Sequence, residues 1–145
     1  MAHFTTSIDT GTAAQDAFRY IADFSNVADW DPTVRSARRV SRGPLGVGDR
    51  FEVLMDTPIR PFPFHYEILR YEPDHLIVLE AESDLLRSLD TIEIEPRARG
   101  CRVHYDADLR LRRGFYLFDL AAHLAFQFSG RSSARGLGQA LNRLS

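Results

Sequence analysis

A carboxylate, a phenol and an imidazole are the groups in this 145-residue chain whose placement offers chemistry: Asp90, Tyr66 and His123. Ser88, Asp90, Ile92 and Ile94 share one strand parity, and the isoleucines must face a core, so Asp90 points inward. A carboxylate on an inward face costs free energy unless something answers it. Turn signals suggest an antiparallel register in which 94 lies opposite 103, and therefore 90 opposite 107. On the other side 83 lies opposite 88, which sets 90 opposite 81, and 68 opposite 79 brings 66 to the same place. The resulting row reads Tyr66, Ala81, Asp90, Ala107: two proton-bearing side chains with small residues leaving room beside them, as a ligand site or general acid–base chemistry requires. The competing reading has Asp90 at an open strand end, capping a backbone group or pairing with Arg87 or Arg110. Asp119 and His123 stand four apart on the last helix. That spacing orients an imidazole for proton transfer, or equally makes a rim pair worth about 0.2–0.5 kcal/mol.

Other chemistries find little footing. His3, His65, His75 and His104 share no ligand spacing with acidic residues, so no metal is expected. No Gly-x-Ser-x-Gly elbow occurs. The glycine-rich stretch 42–48 invites a phosphate cradle, but it joins two strands where such a site needs a helix start. The single Cys101 allows no intramolecular disulfide and reads as a small hydrophobe near a turn. No cofactor is implied. Lys plus Arg total 18 against 20 Asp plus Glu, a formal charge of −2, which speaks against a nucleic-acid partner. There is no signal-like leader and no uncharged run near the ~18 residues of a spanning helix, so a cytoplasmic protein without an integral membrane segment is expected.

The elements that would position these groups follow in order. Residues 1–145 fit one domain with one core. Alternation in 3–9 predicts a strand. Thr12 and Gln15 predict a capping box opening a helix to about residue 23. A short helix over 25–30 stops at Asp31-Pro32, because the residue before proline is pushed out of helical geometry. Strands follow at 34–41, 49–57, 62–71, 75–83, 88–95 and 101–112, joined so briefly that they form an antiparallel meander. Residues 114–142 predict a long helix whose inner face collects Phe115, Ala122, His123, Phe126, Gly130, Leu137, Leu141 and Leu144. Its first half is apolar nearly all round and borders a ligand cavity, another subunit, or simply a deeper core.

The order β-α-α-β-β-β-β-β-β-α is joined by particular strings: Ala17-Phe-Arg-Tyr-Ile-Ala-Asp-Phe-Ser-Asn26 before Trp30-Asp-Pro32, Gly46-Val-Gly-Asp-Arg-Phe51, Asp90-Thr-Ile92 with Pro96, and Cys101-Arg-Val-His-Tyr-Asp-Ala-Asp108. Along its whole length the chain resembles the polyketide cyclase/dehydrase and lipid-transport family of the START-like, helix-grip superfamily. That resemblance implies an α+β fold in which a curved seven-stranded antiparallel sheet wraps a long C-terminal helix around an aromatic-lined cavity. The side chains expected to line it are Trp30, Phe51, Val53, Phe64, Tyr66, Ala81, Asp90, Tyr105 and Ala107 from the front of the chain, and Phe115, Phe118, Ala122 and Phe126 from the helix. Trp30 is expected to anchor the open end of the grip. The family contains binders and enzymes, and fold alone does not choose between them. The leading expectation is a binder of a lipid, polyketide or aromatic metabolite. One alternative is a cyclase or dehydratase using Asp90, Tyr66 and His123. Another is a homodimeric interaction module with Leu117, Leu120, Leu124 and Phe128 in its seam.

Overall fold

The computed structural model describes the backbone of residues 2–56, 61–84, 86–111 and 119–144, and their side chains except at 2, 111 and 119–129. The chain runs β1 (Ala2–Thr10), α1 (Ala14–Ala22), a 3-10 turn (Phe24–Asn26), α2 (Val27–Trp30), β2 (Val34–Arg39), β3 (Arg50–Met55), β4 (Phe62–Glu72), β5 (Leu76–Glu82), β6 (Leu86–Pro96), β7 (Cys101–Leu111) and α3 (Asp119–Leu144). The strands form one antiparallel sheet in the order β1-β7-β6-β5-β4-β3-β2. This curled sheet with its C-terminal helix is the helix-grip arrangement. Of these pairings only β1–β7 joins strands distant in sequence, because β1 has to cross the sheet end by way of α1 and α2 before the meander begins.

Strand parity explains which side chains meet. In β6 Ser88, Asp90, Ile92 and Ile94 are buried, and in β7 Cys101, Val103 and Ala107. The opposite parity carries exposed pairs such as Arg102 with Asp9 and Arg87 with Glu80. Bulges between Val34 and Ser36 and between Ile68 and Arg70 add a residue to one strand of the pair, which bends it and increases local twist. The core joins that inner face to Ala17, Phe18, Ile21 and Ala22 of α1 and to Leu137, Ala140 and Leu141 of α3.

Several expectations need correction. The start of α1 has Ala13, not Thr12, at its N-cap, with no side-chain cap. Thr12 is buried and donates its hydroxyl to the Leu141 carbonyl, so it ties the helix start to the end of α3 and cannot close a capping box with Gln15. Leu144 is 46% exposed, because the last helical turn carries it past the apolar face. The glycine-rich loop is filled from within. Asp49, 5% exposed, accepts the Gly46 amide at 2.6 Å, the Ser41 hydroxyl at 2.6 Å and the Arg39 guanidinium, occupying the donors a phosphate would need. Residues 114–118 lie outside the described residues, Leu117 among them, while at Leu120, Leu124 and Phe128 only the backbone is described. Among the described residues no helix is long and apolar enough to cross a membrane.

The seating of α3 depends on missing side chains. A Cβ at Gly136 would stand 1.8 Å from the Trp30 carbonyl oxygen, and one at Gly130 2.8 Å from the Phe4 ring. The helix therefore lies so close to the α2 backbone at Gly136 that a side chain would displace it, and so close to β1 at Gly130 that the Phe4 ring would have to move. Gly136→Ala is expected to push α3 off α2 and to cost about 1–3 kcal/mol. Urea denaturation measures it. An unchanged midpoint would mean that α3 shifts freely over Trp30.

Candidate functional site

Between the inner face of the sheet and α3 lies a cavity of about 440 Å³, within the range of small-molecule sites. Its floor comes from β6 and β7, through Ser88, Asp90, Tyr105, Ala107 and Leu109, and from Phe62, Phe64 and Tyr66 of β4. One wall is Phe24, Val27, Trp30 and Asp31, where the chain leaves α2. The roof is the second half of α3, at Gly130, Ser133, Ala134 and Leu137. Most of these side chains are apolar or aromatic. Phe24 stacks on Tyr66 with ring centroids 4.6 Å apart, and the Trp30 ring meets Phe24 at 6.3 Å and Tyr105 at 6.4 Å, so the wall is a continuous set of rings.

The polar groups converge on Asp90. This carboxylate is 5% exposed. It accepts the Ser88 hydroxyl on Oδ1 at 2.7 Å and the Tyr105 hydroxyl on Oδ2 at 2.7 Å. Neither partner carries a charge. Arg87 and Arg110, on the outward parity, pair with Glu80 and Asp108, so the open-end reading of Asp90 is ruled out by geometry. Burial raises the Asp90 pKa above its ordinary value of 3.8, and the hydrogen bonds from Tyr105 and Ser88, which lower it, only partly offset that. The phenols of Tyr66 and Tyr105 are raised well above their ordinary value of 10.0, first by burial and next by the Asp90 charge. Both stay protonated, and Tyr105 donates to Asp90. The Tyr66 hydroxyl makes no hydrogen bond among the described residues.

Because the folded protein holds the Asp90 proton more tightly than the unfolded chain does, that proton's stabilising effect is full below the unfolded value. It is lost as pH rises through the raised folded value. Asp90→Asn mimics the protonated acid, so it is expected to raise the Tm at neutral pH, and the gain should shrink to nothing in acid. A thermal melt at both pH values checks this; equal destabilisation at both would mean that Asn cannot keep the Ser88 and Tyr105 bonds.

The register differs from expectation in one step. Ile94 faces Val103 and Asp90 faces Ala107, and Tyr66 faces Ala81. Asp90, however, faces Leu79, and Ala81 faces Ser88. The connection after β5 is tighter than the turn residues suggested: Glu82 pairs with Arg87, and the Ser83 amide donates to the Leu86 carbonyl. The two-residue slip preserves parity. Asp90 and Tyr66 thus share a face but stand on adjacent rows.

Of the residues expected to line a cavity, Trp30, Phe64, Tyr66, Asp90, Tyr105 and Ala107 do line this one. Phe51, Val53 and Ala81, at most 1% exposed, are packed into the core instead. Phe115 and Phe118 lie outside the described residues, and so do the side chains of Ala122, His123 and Phe126. Sequence reasoning missed Asp31, whose one local signal is a helix stop, and also Phe4, Phe24 and Ser88. Inward parity could have found Phe4 and Ser88. His104, on the outer face, bridges Ser7 at 3.0 Å and Glu95 at 2.8 Å, but on a water-exposed strand this trio lacks the dry, preorganised surroundings an acyl-transfer site needs. Cys101 is buried, which raises its thiol pKa and leaves it unreactive. Among the described residues no group of three or more His, Cys, Asp or Glu converges as a metal site would require.

The sequence profile of the family described as polyketide cyclase / dehydrase and lipid transport matches residues 1–140. No curated protein sequence matches the chain. Among solved structures, the protein TTHA0849 from Thermus thermophilus superposes with a TM-score of 0.79 at 17% identity, covering 99% of this chain and 98% of that one. The Zhui aromatase/cyclase from a Streptomyces species gives 0.78 at 11% identity over 97% and 93%. A START superfamily protein from Mycobacterium smegmatis gives 0.75 at 12% identity over 100% of both chains. At these identities the likeness is one of fold.

Proposed function

The chain belongs to the polyketide cyclase / dehydrase and lipid transport family, and from that premise we propose that it binds an apolar small molecule between its sheet and α3. The observation that carries this reading is the cavity of about 440 Å³ walled by Phe24, Trp30, Phe64, Tyr66 and Tyr105. A filled core would close such a space, since interiors are packed as densely as organic crystals. The occupant is an apolar molecule of modest size, a lipid, a polyketide or an aromatic metabolite. Its apolar body lies on the rings and its polar end reaches Tyr66 and Asp90.

The test is titration with N-phenylnaphthylamine, a neutral probe that brightens in apolar surroundings, together with native mass spectrometry of freshly purified protein. Saturable one-to-one uptake, displaced by any molecule that co-purifies, is expected. Fluorescence that rises without saturating would reject the site.

A second reading is favoured by the Tyr105-to-Asp90 bond and by the Tyr66 hydroxyl on the same cavity, which makes no hydrogen bond among the described residues. Asp90, shifted toward the range where an acid can also serve as a base, exchanges a proton with the bound molecule while the phenols stabilise developing oxyanion charge. This is the chemistry of a cyclisation or dehydration. It requires that Asp90→Asn abolish turnover of a candidate substrate while the variant still takes up the probe.

A further inference from the structure

The geometry points to a basic amine on the cavity's occupant, an inference that rests on the binding reading above and adds the charge of the ligand to it. Among the described residues, three carboxylates line the cavity: Asp31, Asp56 and Asp90. Asp56 is answered by Arg35 at 2.7 Å. The other two have no cation among the described residues. Asp90 is held only by the neutral hydroxyls of Ser88 and Tyr105. Asp31 receives the Thr33 amide at 2.9 Å and the Thr33 hydroxyl at 2.6 Å, both on Oδ1, and its Oδ2 makes no hydrogen bond among the described residues. Among the described lining residues there is no Arg, Lys or His.

Two acids lining one largely apolar cavity, with no countercharge among the described residues, are costly to keep ionised and repel an anionic ligand. A protonated amine resolves both at once. The surrounding rings favour the same charge. Phe24, Trp30, Tyr66 and Tyr105 all line the cavity, and aromatic rings attract a cation most strongly once it has left water. A fatty acid or phosphate-headed lipid finds no cation to answer its charge among the described lining residues. An apolar or aromatic body bearing an aliphatic amine finds rings for the body and carboxylates for the head.

Three ligands on one skeleton separate this inference from the reading beneath it: naphthylethylamine, naphthylethanol and naphthylacetate, each titrated by displacement of N-phenylnaphthylamine at neutral pH. Naphthylethylamine is expected to bind about tenfold more tightly than naphthylethanol, a difference of about 1.4 kcal/mol, and naphthylacetate more weakly than both. In Asp31→Asn and in Asp90→Asn, each checked for a native melting transition, the amine-to-alcohol ratio should fall toward one. Equal affinities in the wild type, or a preference for naphthylacetate, overturn the amine and leave the apolar site standing. A ratio unmoved in both variants also overturns it. Failure of all three ligands and of the probe removes the site itself, and the amine with it.

Discussion

Trp30→Ala is expected to lower stability by about 3–5 kcal/mol, the range for truncating a large aromatic residue in a core. Trp30 is 5% exposed and its ring makes edge contacts with Phe24 and Tyr105. Its carbonyl fills the space above Gly136. One residue therefore joins the end of α2 to α3 and to the sheet, and it is also a wall of the cavity. Alanine leaves a void that α2, a single turn closed by Asp31-Pro32, has little means to fill. Urea denaturation followed by circular dichroism measures the loss. A cost below about 1 kcal/mol would show that Trp30 is a peripheral flap and not an anchor.

The second large effect is a contrast between two alanines. Ala107→Phe is expected to abolish uptake of N-phenylnaphthylamine while the protein keeps its native circular dichroism, because Ala107 lines the cavity beside Asp90 and the new ring has space to enter. Ala81→Phe is expected to behave oppositely. Ala81 is fully buried between Tyr66 and Ser88 and does not border the cavity, so the added ring overpacks the core and costs about 1–3 kcal/mol. Probe titration and urea denaturation of both variants check the pair. Similar behaviour of the two would mean that cavity and core are not distinct.

Much of this architecture is legible in residue patterns, for identifiable reasons. Alternation along Cys101–Leu111 assigns faces without ambiguity, because a slip by one residue would turn Tyr105 and Ala107 to solvent. The same logic puts Asp90 inside. A slip by two residues leaves parity untouched, which is why the β5–β6 register is invisible in the pattern and is fixed only by the Ser83-to-Leu86 hydrogen bond. Packing depth is equally silent in sequence. Phe51 and Phe64 are both inward aromatics, yet Phe51 stays in the core under Phe24 and Phe64 reaches the cavity wall. Asp31 is hidden by a stronger local signal. The proline after it explains the helix stop fully, and nothing in the sequence brings residue 31 near residue 90. The structure does so by lining one cavity with both.

The central claim is that the space between sheet and helix holds the ligand, and a crystal structure of the protein soaked with naphthylethanol tests it most directly. Density is expected for the naphthyl group between Trp30, Tyr66 and Ala107, with the hydroxyl within hydrogen-bonding distance of Tyr66 or Asp90. Density confined to the outer groove between α2 and α3, at Arg135, Gln139 and Arg143, with the inner cavity unchanged, would contradict it.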